Sequence, residues 1–127
     1  MILIVDDSPT DIELTTIALL ATGREIHVSS ALDGESALAM LKDELKVPDL
    51  VLLDLKMPGM DGIEVLHKIR AENRLKEIPV VVVTSSSLES DRAKAIAAGA
   101  NYYLQKPLAL EQFSRNLESV LHNLLPN

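Results

Sequence analysis

The chain has 127 residues, 47% apolar and 24% charged, a net charge of −7 and no cysteine. That length suits one domain with a full core, and the lack of cysteine excludes disulfides and thiolate metal sites. The acidic balance argues against nucleic-acid binding, which runs on clustered Lys and Arg, and Phe113, Tyr102 and Tyr103 alone make no stacking platform for bases or a flavin ring.

The segment Met1 to Asp7 lacks the basic start and longer apolar stretch of a secretory signal. No apolar run approaches the ~18 residues that span a bilayer. A soluble cytoplasmic protein, a single domain over residues 1–127 with no output domain, is the expectation.

In chain order, the apolar run Ile2–Val5 reads as a buried strand closed by Asp6 and Asp7. Ser8 and Pro9 supply an N-cap and a first helical residue. Ile12, Thr16, Leu19 and Leu20 then form the buried face of a helix running out near Gly23. Ile26–Ser30 is the second strand. After Asp33 and Gly34, the residues Ala37, Leu38, Leu41 and Leu45 recur at helical spacing. Pro48 and Asp49 precede the third strand, Leu50–Leu53, and the loop from Leu55 to Gly62 has the turn chemistry of an exposed functional connection. Val65, Leu66 and Ile69 mark a third helix. Pro79 leads the fourth strand, Val80–Val83, with a helix from Ser90 to Ala98 stopping at Gly99. Tyr102–Leu104 is the fifth strand, and Tyr102 and Tyr103 point to opposite faces. Leu110, Phe113, Leu117, Val120, Leu121 and Leu124 form the stripe of the last helix.

Five strands alternating with five helices give an α/β doubly wound parallel sheet. Right-handed crossovers and helices on both faces favour the flavodoxin-like order 2-1-3-4-5. The residues just past the strand ends then gather at one edge: Asp6 and Asp7, Asp54, Thr84, and Lys106. Three carboxylates at one crevice repel one another, and a hard cation relieves that repulsion. Mg²⁺ suits a few carboxylates plus waters and a phosphate oxygen. Lys106 and Thr84 can each meet a phosphoryl oxygen, and Asp54, on the central strand, is the natural nucleophile. His27, His67 and His122 are scattered and join no cluster.

With Asp6 and Asp7 after strand one, Asp54 within the run Leu52 to Gly62, Thr84 and Ser85 after strand four, and Lys106 and Pro107 after strand five, the chain resembles a response-regulator receiver domain over essentially its whole length. The resemblance implies Asp54 as phosphoacceptor, Asp7 as direct Mg²⁺ ligand, Asp6 acting through water, and the Lys56 carbonyl as a further ligand. It implies Thr84 and Tyr103 as the switch pair, Lys106 as the phosphate-contacting lysine, and a bond between Lys106 and Pro107 that is often cis. Lys56 and Ser86 occupy the positions that tune phosphate lifetime, and Lys56 is expected to lie over the acyl phosphate and obstruct water. A weaker resemblance, carried by Asp7 to Asp11 and Ile78 to Thr84, is to stand-alone regulators paired with bacterial phytochromes.

The implied role is a two-component switch rather than an enzyme. A sensor histidine kinase or histidine phosphotransfer protein donates phosphate to Asp54, and the surface of the fourth helix, fifth strand and fifth helix changes to regulate a downstream protein, to relay phosphate or to form a homodimer. No direct contact with nucleic acid or membrane is implied. The acidic segment with Glu89, Asp91, Arg92 and Lys94 reads as a solvated helix face. A haloacid-dehalogenase phosphatase needs a second Asp where Lys56 stands, a flavodoxin's phosphate would be repelled by Asp6 and Asp7, and no P-loop is present. The alternative is a receiver-like adaptor independent of phosphorylation.

Overall fold

The computed structural model describes residues 1–106 and 109–125. The elements are β1 (Ile2–Val5), α1 (Pro9–Leu20), β2 (Val28–Ala31), α2 (Gly34–Leu41), β3 (Leu50–Leu53), α3 (Gly62–Ala71), β4 (Val80–Thr84), α4 (Glu89–Ala97), β5 (Tyr102–Gln105) and α5 (Leu110–Leu124). The strands form one parallel sheet in the order β2-β1-β3-β4-β5, the doubly wound order expected from the alternation of elements.

Side chains alternate across each strand, so the sheet divides the apolar residues into two cores. Leu3, Val5, Val51, Leu53, Val80 and Val82 pack with Ala37 and Leu41 of α2, with Val65, Leu66 and Ile69 of α3, and with Ala95 of α4. Ile2, Ile4, Leu50, Leu52, Val81 and Val83 meet Ala18 and Leu19 of α1 and Phe113, Leu117, Val120 and Leu121 of α5. Both faces of β1, β3 and β4 are thus covered, which is why these strands read as unbroken apolar runs. Tyr102 packs against the α1/α5 core and Tyr103 against the other.

Ser8 caps α1 by accepting from Asp11 N at 3.2 Å, as its sequence position predicts. Arg70 ties three elements together on the far side of the sheet. Its guanidinium donates to the carbonyls of Lys76, Ile78 and Gly99 and to Asn101 Oδ1 at 2.6–3.1 Å. Gly99 ends α4 with φ +110°, and a Cβ there would sit 2.8 Å from Arg70 Nε, so both a left-handed turn and close packing require glycine.

The structure corrects several expectations. β2 is displaced to Val28–Ala31, because its register on β1 starts at Ile2 against Val28. In α1 the buried residues are Thr15, Ala18 and Leu19, Ile12 packs against the same core as expected, and Leu20 is 58% exposed. With Ala18 and Leu19 turned to the core, Leu20 lies about 100° further round the helix, on the solvent side. Leu45 lies beyond the end of α2 and is 94% exposed. The peptide bond between Lys106 and Pro107 lies outside the described residues.

Candidate functional site

Parallel pairing carries the C-terminal ends of β1 and β3 side by side. Asp54 N extends the ladder by donating to Val5 O at 2.9 Å, which sets the residue after β3 beside the residues after β1. Oxygens of Asp6, Asp7 and Asp54 all lie within 4.8 Å of one another. Asp6 and Asp54 are buried, whereas Asp7 is exposed. Among the described residues this is the one such grouping of His, Cys, Asp or Glu side chains. All its donors are hard oxygens from few carboxylates, with open solvent beside Asp7. That donor set fits a small divalent cation that keeps part of its water shell.

The acids are aimed by their own backbone. Asp6 Oδ1 accepts from Ser8 N at 3.0 Å and Asp54 Oδ1 from Lys56 N at 3.3 Å, two local turns of the kind Asp favours. Burial raises the Asp6 carboxyl above its ordinary value, and the hydrogen bonds from Lys106 and the Ser8 amide offset only part of that. The loop after Asp54 is closed by Gly62, whose N donates to Leu55 O at 3.0 Å. A Cβ on Gly62 would stand 2.3 Å from Asp54 O and 2.7 Å from Leu55 Cα. Only glycine lets the start of α3 approach the loop after Asp54 so closely.

Lys106 reaches into the same crevice. Its Nζ lies 2.6 Å from Asp6 Oδ2, 3.0 Å from Asp11 Oδ2 and 3.5 Å from Asp54 Oδ2. Burial alone would lower its pKa; the hydrogen bonds to Asp6 and Asp11, with the charges of Asp54 and Asp6, outweigh that and raise it. The side chain therefore stays a fixed cation among carboxylates. Thr84 is fully buried at the end of β4. Its carbonyl accepts from Lys106 N at 2.6 Å, and its Oγ1 accepts weakly from Ser86 N at 3.5 Å. Ser86 in turn joins Thr84 to Tyr103, since Tyr103 Oη donates to Ser86 O at 3.0 Å. Arg92 of α4 lies 5.7 Å from the centroid of the Tyr103 ring.

The structure brings Asp6, Asp7, Asp54 and Lys106 together, and sets Thr84, Ser86 and Tyr103 in one chain of contacts beside them. Without a phosphoryl group on Asp54, the exposed Lys56 side chain pairs with Asp91 Oδ2 at 3.1 Å. The reading of Asp91 as part of a solvated face is corrected, because its side chain is only 13% exposed. Asp91 also accepts from Ser86 Oγ at 2.5 Å, and the Ser86 and Lys56 hydrogen bonds hold its carboxyl below the usual value. Sequence reasoning missed Asp11 and Asp91 as members of the site. The one available signal was that each is an acid in the first turn of a helix opening at the functional edge.

A parallel sheet in the order β2-β1-β3-β4-β5, with three acids and a lysine at its C-terminal edge, defines a flavodoxin-like α/β protein with a candidate cation site. Residues 2–118 match the response regulator receiver domain, and the chain belongs to that family, whose members are the receivers of two-component signalling. It is 35% identical over 120 residues to protein PilH of Pseudomonas aeruginosa, covering 94% of this chain and 96% of that protein. It is 37% identical to the probable transcriptional regulatory protein TcrX of Mycobacterium tuberculosis, covering 94% of this chain but 49% of that one. The chain thus spans about half of TcrX, and 23% of the response regulator PleD of Caulobacter vibrioides, to which it is 41% identical over 107 residues. Among solved structures, the phosphorylated cyanobacterial phytochrome response regulator RcpA superposes with a TM-score of 0.87 at 34% identity, covering 98% of this chain and 92% of that one. The Mn²⁺-bound response regulator Rcp1 gives 0.83 at 34% identity, covering 95% and 91%. The resemblances to receivers and to phytochrome-associated regulators both hold.

Proposed function

We propose that this chain is a phosphorylation-activated switch whose acceptor is Asp54 and whose metal is Mg²⁺. The observation that carries the reading is the convergence of Asp6, Asp7 and Asp54 within 4.8 Å, with Lys106 Nζ 3.5 Å from Asp54. The phosphorylated state of RcpA and the Mn²⁺ of Rcp1 support it by similarity.

In this reading a histidine kinase or histidine phosphotransfer protein presents a phosphohistidine. An Asp54 carboxylate oxygen forms a bond to phosphorus as the P–N bond breaks, and the electron pair stays on the departing imidazole, which takes up a proton. Asp7, Asp54 and the Lys56 carbonyl would hold Mg²⁺, with Asp6 acting through water; the metal's contribution is to neutralise phosphoryl oxygens. Lys106 needs only a short swing from Asp6 and Asp11 to reach a second oxygen, and it arrives already charged. Thr84 donates its hydroxyl to a third, which draws Ser86 and frees Tyr103 from the Ser86 carbonyl. The surface of α4, β5 and α5 changes with them, and a downstream protein, a phosphate relay or a second copy of the chain reads that change. The setting is cytoplasmic; among the described residues no helix is long and apolar enough to cross a membrane.

The test is intact mass after incubation with Mg²⁺ and acetyl phosphate. An adduct of about 80 Da, one phosphoryl group, is expected for the wild type and not for Asp54→Asn. No adduct at saturating Mg²⁺ overturns the reading in favour of a phosphorylation-independent adaptor.

A further inference from the structure

The start of α4 is held in an unusual way. Its N-cap position is Leu88, which has no side-chain oxygen to cap the helix, so its first turn has no conventional acceptor. Ser86 stands in from outside. Its Oγ accepts from Leu88 N at 3.3 Å and donates to Asp91 Oδ2 at 2.5 Å. Asp91 lies in the first turn, where a negative charge suits the helix dipole, and Lys56 closes the arrangement from across the crevice at 3.1 Å. Lys94 is the other cation acting on Asp91. Lys56 and Asp61 line an open groove against Asp91 and Lys94, so above the apolar core that Leu55 and Met57 share with Ala95 the loop after Asp54 is tied to the first turn of α4 by this ion pair.

Lys56 follows Asp54 by two residues, and its N–H already donates to Asp54 Oδ1. A phosphoryl group on Asp54 would add dianionic charge beside a lysine whose present partner is a single carboxylate. We propose that Asp91 is a positioning residue that competes with the phosphorylated Asp54 for the Lys56 ammonium, so that phosphorylation withdraws Lys56 and loosens the first turn of α4. The competition half of this rests on Asp54 being the phosphoacceptor; the anchoring half does not. Lys56 thereby has two states: bound to α4 before phosphorylation, and over the acyl phosphate after it. The device is separate from the contact between Tyr103 and Ser86 O, but it converges on Ser86, so both loosen the same loop.

Two measurements on the full chain test it. Hydrogen exchange of the Leu88, Asp91 and Arg92 amides, without phosphodonor, should speed up about threefold to fivefold in Asp91→Asn and in Lys56→Met, the order expected from losing one ion pair. Lys56→Arg should stay near wild type. Equal protection in wild type, Asp91→Asn and Lys56→Met overturns the anchoring. After phosphorylation with acetyl phosphate and Mg²⁺, Asp91→Asn should lose its phosphate about threefold to fivefold more slowly than wild type, because Lys56 is freed to cover it. In the Lys56→Met background the same Asp91→Asn change should leave the rate unaltered. Faster loss in Asp91→Asn, or an equal effect in both backgrounds, overturns the competition. If no variant forms an adduct, the acceptor reading fails and the competition with it, while the exchange data still decide the anchoring.

Discussion

Lys106 Nζ lies 2.6 Å from Asp6 Oδ2, so the end of β5 is bound directly to the end of β1 across the crevice that holds Asp54. The contact serves two purposes. It offsets the repulsion among buried acids, and it holds the lysine 3.5 Å from Asp54 Oδ2.

Removing that ammonium separates the two. Lys106→Met leaves Asp6 and Asp54 buried without their counter-charge, and unfolding in urea without metal should show a loss of about 2 kcal/mol, reduced from the fully buried case because the side chains keep some solvent. Mg²⁺ should restore much of it, since the cation supplies the missing positive charge. Phosphorylation by acetyl phosphate should stay slow even then. A variant as stable as wild type without metal would mean the pairing contributes nothing to the fold.

Asp7 has the opposite sign. It is exposed, and it adds a third like charge to the cluster. Asp7→Asn should therefore raise metal-free stability by about 0.5–1 kcal/mol and abolish stabilisation by Mg²⁺. For the wild type that stabilisation is about 2.7 kcal/mol when free Mg²⁺ is a hundredfold above its Kd. Thermal melts of both proteins with and without EDTA check this directly.

The parts of this molecule that could be read from sequence are those set by short-range rules. Ile2–Val5 and Leu50–Leu53 are continuous apolar runs ended by acids, and both strands lie where that pattern puts them. Asp6, Asp7, Asp54 and Lys106 meet because parallel strands share a direction, which follows from topology alone. Leu45 and Leu20 defeated the same reasoning, because an apolar residue at helical spacing does not reveal where the helix stops or how closely it packs. Asp91 was missed for a different reason. Its role depends on Lys56, 35 positions earlier in the sequence, and on the absence of an N-cap at Leu88, which shows only once the start of α4 is placed.

Gly62 tests how tightly the loop after Asp54 is shaped. A methyl group there meets the Asp54 carbonyl and Leu55 Cα, both backbone, so something in the chain itself must move. Gly62→Ala should cost about 1–3 kcal/mol by overpacking and should slow phosphorylation more than Gly59→Ala, whose Cβ would meet nothing within 4 Å and which carries only the backbone strain of φ +73°. Equal phosphorylation rates in the two variants would show that the close approach does not shape the site.

Asp33 caps α2 by accepting from Ser36 N at 2.7 Å, and that hydrogen bond from the Ser36 amide holds its carboxyl below the ordinary value. A depressed folded pKa gives stability that is fully present above the unfolded value near 3.8 and lost as pH falls through the folded one. The stability gap between wild type and Asp33→Ala should therefore be wide at pH 6 and shrink progressively as pH falls below 3.8. A gap that does not change over that range would show that the charge of the cap is unimportant.

Arg70 separates shape from charge. Its five donor contacts run to three backbone carbonyls and to Asn101 Oδ1, and Asn101 Oδ1 also accepts from Val80 N at 2.9 Å at the start of β4. A lysine keeps the charge but has no planar fork and fewer donors, so it cannot satisfy carbonyls on both sides at once. Arg70→Lys should lose about 1–3 kcal/mol through buried acceptors left unpaired, nearly as much as Arg70→Met. Because the cluster lies at the opposite end of the sheet from Asp54, both variants should still take up a phosphoryl group at temperatures where they remain folded. If Arg70→Lys proves as stable as wild type, charge alone suffices there, and lost phosphorylation in a folded variant would show that the two ends of the sheet are coupled.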